Sequence, residues 1–224
     1  MQTNPKPKQN PLLILGVVGV VAVLATLAVL SLASRPGPAA SGGPQLVRED
    51  SPRYGNPGAK VVLVEFLDPE CEACAAVHPL VGELKRKYRE QMQLVVRYLP
   101  LHANSVLAAS AMEAAGEQGK YWEYADLIYR GQPDWAPPHD GGPPKIAPRE
   151  AFVQYAGFLG LDRAAFERSL DDPKHARKVE RDRQDAQRAG ATGTPTFFLN
   201  GDRLSVRSRA DLESAIARAV QAAQ

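Results

Sequence analysis

Val61-Val62-Leu63-Val64-Glu65-Phe66-Leu67-Asp68-Pro69-Glu70-Cys71-Glu72-Ala73-Cys74 carries an apolar, β-branched run straight into the only two cysteines of a 224-residue chain. Apolar residues without polar alternation suit a central strand covered on both faces. Asp68-Pro69 ends the run and can open a helix, with Asp as cap and Pro as first residue. The sequence therefore predicts a strand over 61–67 and a helix over 71–90, with Cys71 and Cys74 at the helix start and Pro79 inside it.

Two thiols two residues apart admit four readings. A structural disulfide would close a four-residue ring and gain almost nothing in chain entropy. A zinc site needs two further ligands, and His78, His102, His139 and His175 are scattered without a paired spacing. Inert buried thiols would tend to oxidise in an exported chain. A catalytic dithiol fits best, because unpaired backbone N–H groups at a helix N-terminus favour a thiolate. Cys71, nearer the helix tip, is expected to be the nucleophile, and Cys74, one turn further in, the resolving thiol. Glu70 and Glu72 oppose a thiolate, so Cys71 is expected to be less acidic than a basic dipeptide would make it, with a pKa not below about 4. No metal and no cofactor beyond this intrinsic redox pair is called for.

Glu65 interrupts the apolar strand. It is either an edge-facing residue or a desolvated carboxyl that exchanges a proton with Cys74 as the disulfide opens.

Working outward, Leu12 to Ala33 holds 22 consecutive uncharged residues. As a helix this spans roughly 33 Å, enough for a hydrocarbon core of about 30 Å. Lys6 and Lys8 precede it, so the positive-inside bias puts residues 1–10 in the cytoplasm, a transmembrane anchor at 11–34 and the rest outside it, periplasmic or on the outer face. The competing reading is a cleaved signal peptide ending near Ser31-Leu32-Ala33, although its apolar core is long for one. Residues 35–58, rich in Pro, Gly and Ser, read as a flexible tether. Residues 59–224 form one domain.

Within that domain Gln93–Leu99 reads as a second strand, 103–130 as helix and 131–148 as a solvated proline-rich loop. Trp135 within that loop stays open between solvent and partner contact. Helical pieces follow at 149–158, 162–170 and 174–189. The mixed charges of the last read as a solvated face. Asn200-Gly201 joins strands 196–199 and 204–206 as a hairpin, and 209–222 closes with a helix. The order implies an α/β layered domain. Composition, 44% hydrophobic and 23% charged with net charge +2, gives no basic surplus for nucleic acid. The Thr194-Pro195 bond, on general frequencies, is expected to be trans.

Taken together, Glu65, Cys71-Glu72-Ala73-Cys74, Pro79 and Gly193-Thr194-Pro195-Thr196 resemble the thioredoxin fold. The helical block at about 103–190 is similar to that of DsbA-like thiol-disulfide oxidoreductases. Arg97-Tyr98-Leu99-Pro100-Leu101-His102 and Gln118-Gly119-Lys120-Tyr121-Trp122 are likewise similar to stretches of that group, over about residues 50–222. The resemblance implies a thioredoxin-like α/β fold with a helical insertion. It implies a cis Pro195 facing the disulfide, Thr194 offering backbone hydrogen bonds to an extended substrate, and catalysis by Cys71, Cys74 and Glu65. It further implies thiol-containing exported proteins as substrates and a membrane redox partner that recycles the pair. Glu72-Ala73 differs from the Pro-His of the strongest oxidants, so a reductase or isomerase kept reduced by a transmembrane carrier is the alternative within the enzyme class. A substrate-binding module without turnover is the alternative outside it.

Overall fold

The computed structural model describes residues 45–138 and 140–224. The anchor and cytoplasmic segment expected within 1–34 lie outside the described residues. Among the described residues no helix is long and apolar enough to cross a membrane.

Five strands make one sheet: β1 (Arg53–Gly55), β2 (Val61–Leu67), β3 (Met92–Tyr98), β4 (Thr196–Leu199) and β5 (Asp202–Arg203), in spatial order β1-β3-β2-β4-β5. β2 and β3 run parallel, and every other pairing is antiparallel. Helix α1 (Glu72–Lys87) is the crossover between the parallel pair, as parallel neighbours require. Alternation along β2 sorts the two layers. Val61 and Leu63 pack with Leu80 and Leu84 of α1, and with Leu212 and Ile216 of α8 (Arg209–Ala222). Val64 and Phe66 face the other way, onto Ala186 and Ala191.

The insertion between β3 and β4 is helical: α2 (Ser105–Glu117), α3 (Tyr121–Arg130), α4 (Gln132–Trp135), α5 (Pro148–Phe158), α6 (Arg163–Leu170) and α7 (Pro173–Arg188). Its alanine-rich α2 packs with Tyr124, Ile128, Phe152 and Phe166, and this cluster also takes in Leu67, Cys74, Val96 and Tyr98 from the sheet side. The insertion is thus built onto the end of β2 where the cysteines lie.

Five sequence expectations are corrected. The helix expected over 103–130 is two helices, because Gly119 adopts φ +75° and the chain turns there. The loop at 131–148 is not simply solvated: it contains α4, and Trp135 is fully buried, edge-on to Phe152 and donating its indole N–H to the Ile128 carbonyl at 2.9 Å. The tether does not extend to 58, since Tyr54 and its neighbours pair with β3, and Leu46 and Val47 pack on the sheet. The hairpin's second strand is Asp202–Arg203 rather than 204–206. Asn200 and Gly201 both take positive φ, and pairing closes at once with Leu199 opposite Asp202.

The fifth correction concerns 174–189. Asp182 and Asp185 are buried, because Arg97 projects from β3 beneath α7 and its guanidinium pairs with both, and Lys178 is buried against Glu113. Arg48 and Arg188 complete the cluster around Asp185, and Arg97 also donates to the carbonyls of Gln45 and Leu46.

Candidate active site

At the C-terminal end of β2 the chain turns through Asp68-Pro69-Glu70 into α1. Asp68 is fully buried and organises this turn. One carboxylate oxygen accepts the Glu70 N–H at 2.9 Å, and the other accepts the Leu101 N–H at 2.8 Å and meets His102 Nδ1 at 2.7 Å. Glu70 is drawn aside by Asn104, whose backbone N–H and side-chain amide both donate to it, at 2.6 and 2.9 Å. From the insertion, Gln132 donates its side-chain amide to the Pro69 carbonyl at 3.0 Å. The turn is held from two other parts of the chain, the stretch 101–104 and Gln132.

Cys71 caps α1 in extended backbone and is partly exposed; Cys74 is buried one turn in. The two residues lie 3.9 Å apart as free thiols. Hydrogen bonding from Cys74 pulls the Cys71 thiol down to about 5, against an opposing push from burial. Contact with Thr194 and the backbone N–H groups of Ala73 and Cys74 help. Cys74 is driven the opposite way, above an ordinary thiol, first by burial, then by its bond to Cys71 and the negative charge of Glu65.

The Thr194–Pro195 peptide bond is cis, as the family resemblance implied and general frequencies did not. Cys71 Sγ lies 3.4 Å from the Thr194 carbonyl oxygen, which places the Gly193–Thr196 loop directly over the exposed thiol. Beside it opens a cleft of about 380 Å³ lined by Pro195, Thr196, Phe197 and 203–206.

Glu65 is only 4% exposed, so the edge-facing reading is excluded. It stands opposite Val96 and Phe197 in mid-sheet, and burial raises its carboxyl to about 7, moderated by Lys85. Lys85, itself buried, is pulled below its ordinary value by that burial, and its ammonium lies 4.1 Å from the centre of the Trp122 ring. A cavity of about 10 Å³, on the order of what one water needs, is walled by Glu65, Leu67, His78, Lys85, Tyr121 and Tyr129 among others.

The sequence-predicted residues therefore converge: Cys71, Cys74, Thr194 and Pro195 at one surface, with Glu65 behind Cys74. Asp68, His102, Gln132, Lys85 and Tyr129 carry no local signal that singles them out, apart from the position of Asp68 at the end of the strand. His78 is half-buried, bonded to Asp126 at 2.7 Å, and packs its ring against Tyr129. Among the described residues no group of three or more His, Cys, Asp or Glu could hold a metal ion.

The sequence profile of the thioredoxin family matches residues 48–218. A thioredoxin-like oxidoreductase from Silicibacter pomeroyi superposes with a TM-score of 0.64 at 26% identity, covering 78% of this chain and 94% of that one. The α-DsbA1 of Wolbachia pipientis superposes with a TM-score of 0.67 at 19% identity, covering 80% and 94%. Among curated proteins, the Na(+)/H(+) antiporter NhaA of Herminiimonas arsenicoxydans is 37% identical over 150 residues, which are 67% of this chain but 22% of the antiporter. The chain thus spans about a fifth of the length of the curated relatives it matches. The chain belongs to the thioredoxin family, and its fold is that of the DsbA-like thiol-disulfide oxidoreductases.

Proposed function

We propose that this protein is a membrane-anchored, extracytoplasmic thiol-disulfide oxidoreductase that forms disulfides in exported proteins. In the oxidised form a substrate thiolate attacks Cys71 Sγ. The Cys71–Cys74 bond breaks, a substrate–Cys71 disulfide forms, and the Cys74 sulfur leaves with the electron pair and takes up a proton. A second substrate thiolate then attacks its own sulfur in the mixed disulfide, and Cys71 departs as a thiolate. The substrate has lost two electrons and the cysteine pair has gained them. A membrane redox partner removes them and restores the bond.

The observation that carries this reading is the asymmetry of the two thiols: an accessible, acidic Cys71 beside a sealed Cys74 pushed in the opposite sense. A stabilised thiolate favours the reduced form, which makes the disulfide an oxidant and supports oxidation over reduction. The cleft beside Pro195 suits an extended peptide lying along the loop. Placement at a membrane draws support from the uncharged run 12–33. It also draws support from relatives in which the matching segment is part of a chain named as an antiporter.

Alkylation trapping in intact cells tests the direction: the pair is expected to be mostly oxidised at steady state, and a mostly reduced pair would make the protein a reductase or isomerase. Cys74→Ala is expected to accumulate mixed disulfides with exported proteins. Titrating the thiolate absorbance of the reduced protein is expected to give a midpoint near pH 5. A midpoint at the ordinary 9 would remove the basis for the nucleophile assignment.

A further inference from the structure

Cys71 has to carry a thiolate among acids. Glu70 precedes it, Glu72 follows it, and Asp68, three residues earlier, is a fully buried carboxylate. A negative charge so placed opposes a second one on the neighbouring sulfur. No basic residue stands between the two cysteines. The countercharge arrives from the far side of the turn. His102 Nδ1 meets Asp68 Oδ2 at 2.7 Å, and the Cys71 backbone N–H donates to the Asp68 carbonyl at 3.1 Å. Asp68 thus links imidazole and nucleophile directly, with its side chain bonded to one and its backbone to the other. Among the described residues, His102 is the only basic side chain in ion-pair contact with Asp68.

The bond to Asp68 fixes the ring. A carboxylate only accepts, so Nδ1 keeps its proton and Nε2 is the nitrogen left to titrate. The ring is 47% exposed and can exchange that proton with solvent. The stretch that carries it is pinned on both sides. The Leu101 N–H bonds the same carboxylate oxygen, the His102 N–H donates to Ser105 Oγ at 3.0 Å, and Asn104 grips Glu70. We propose that His102 is a positioning residue for Cys71: as imidazolium it cancels the Asp68 charge at the base of α1, and so lets the Cys71 sulfur persist as a thiolate. With the proton on, Asp68 and His102 form a neutral pair; with it off, a buried negative charge faces the nucleophile. The thiolate exists only in the reduced protein, so the imidazolium favours dithiol over disulfide and makes the pair more oxidising. The coupling is reciprocal: reduction makes His102 hold its proton more firmly.

The other polar groups around the turn do not supply this charge. Gln132 from α4 is neutral and bonded to the Pro69 carbonyl. Glu70, from the turn itself, is bonded to Asn104, and Glu72 opens α1 with the same sign as Asp68. Burial pulls the His102 ring down, but Asp68, then Cys71 and Glu70, outweigh it and hold the ring above its ordinary value.

The proposal rests on Cys71 as the nucleophile of the cycle proposed above, and one experiment separates the two. His102→Asn keeps an N–H near the position of Nδ1, so it can still bond Asp68, but it removes the charge. The thiolate absorbance of reduced protein is titrated in both forms, and Cys71 alkylation by iodoacetamide is timed across pH. The wild-type midpoint is expected near pH 5, and that of H102N about one pH unit higher. Alkylation of H102N is then close to tenfold slower at about pH 4 and within about twofold of wild type at about pH 8, where both sulfurs are ionised. A turn that had merely loosened would slow alkylation equally at both. An H102N midpoint at the wild-type value, or slowing of the same size at both pH values, overturns the proposal and leaves the nucleophile assignment standing. A wild-type midpoint at an ordinary thiol's value overturns both. Should H102N not fold, the wild-type protein decides: the His102 ring is titrated by NMR in each redox state. A midpoint about one pH unit higher in the reduced protein supports the coupling, and equal midpoints refute it.

Discussion

Glu65 and Asp185 are acids buried to nearly the same degree against opposite faces of one sheet, and they behave as opposites. Asp185 is gripped by three guanidinium groups, from Arg48, Arg97 and Arg188. These hold its carboxyl down at about 2 although burial pushes it up. Glu65 has one offset ammonium, that of Lys85, and burial prevails, lifting it to about 7. Burial alone therefore says nothing about role. The number of donors that meet the charge decides whether a buried acid is a fastener or a group ready to trade protons.

The fastener side should break hardest. Arg97→Met removes a fully buried guanidinium that serves Asp182, Asp185 and the carbonyls of Gln45 and Leu46 at once. Breaking a buried charge network from one side typically costs about 3–5 kcal/mol. Denaturant unfolding at pH 7 is expected to show a loss of that size, with residues 45–47 more open to proteolysis. A loss below about 1 kcal/mol would mean that Arg48 and Arg188 already suffice, and the contrast with Glu65 would weaken.

Glu65 should respond with the reverse sign. Its folded-state pKa lies above the unfolded 4.5, so the ionised form opposes folding. The native state has its full advantage below about pH 4.5, loses it as pH climbs to about 7, and stays level beyond. The whole span corresponds to about 3 kcal/mol. E65Q is expected to match the wild-type protein in stability near pH 4 and exceed it at pH 8 by up to that amount, while slowing the Cys74 step. Asp185 works in the other direction, its contribution present above pH 3.8 and lost as pH falls through about 2. An E65Q protein whose stability tracks the wild-type curve at every pH would show that Glu65 is not the proton-trading partner in this pair.

The sequence announces these two acids unequally. Glu65 stands out because a single carboxylate interrupts seven strand residues, and strand alternation forces it under one face; no distant contact has to be known. Cys71 and Cys74 are legible for the same local reason. Asp182 and Asp185 look like part of a solvated helix because their neighbours Arg181, Arg183 and Arg188 are charged. The residue that buries them, Arg97, stands 88 positions before Asp185. Asp68, Gln132 and His102 were hidden likewise: their importance arises when the insertion folds back over the α1 start, a pairing that no local periodicity encodes. Trp135 was undecidable within a run of prolines until α3 and α5 enclosed it.

Lys85 offers the finest adjustment of the contrast. Among the described residues it is the one cation acting on Glu65, and its stem is packed in α1 with the ammonium over Trp122 and Tyr54. Methionine keeps the length and the apolar contacts but removes the charge. The attraction that favours ionised Glu65 then disappears, so its midpoint must move further up, away from Asp185 rather than toward it. In Lys85→Met the pH range over which stability declines is expected to shift to higher pH, and the pH dependence of the Cys74 step should shift with it. The change in stability at pH 5, where Glu65 is protonated with or without the lysine, should be limited to the lost cation–π contact, roughly 1–2 kcal/mol. Adding E65Q should flatten the pH dependence of stability that Glu65 contributes. If the midpoint stayed put or fell, the ammonium would not be what tempers Glu65. The contrast between the two faces would then rest on desolvation alone.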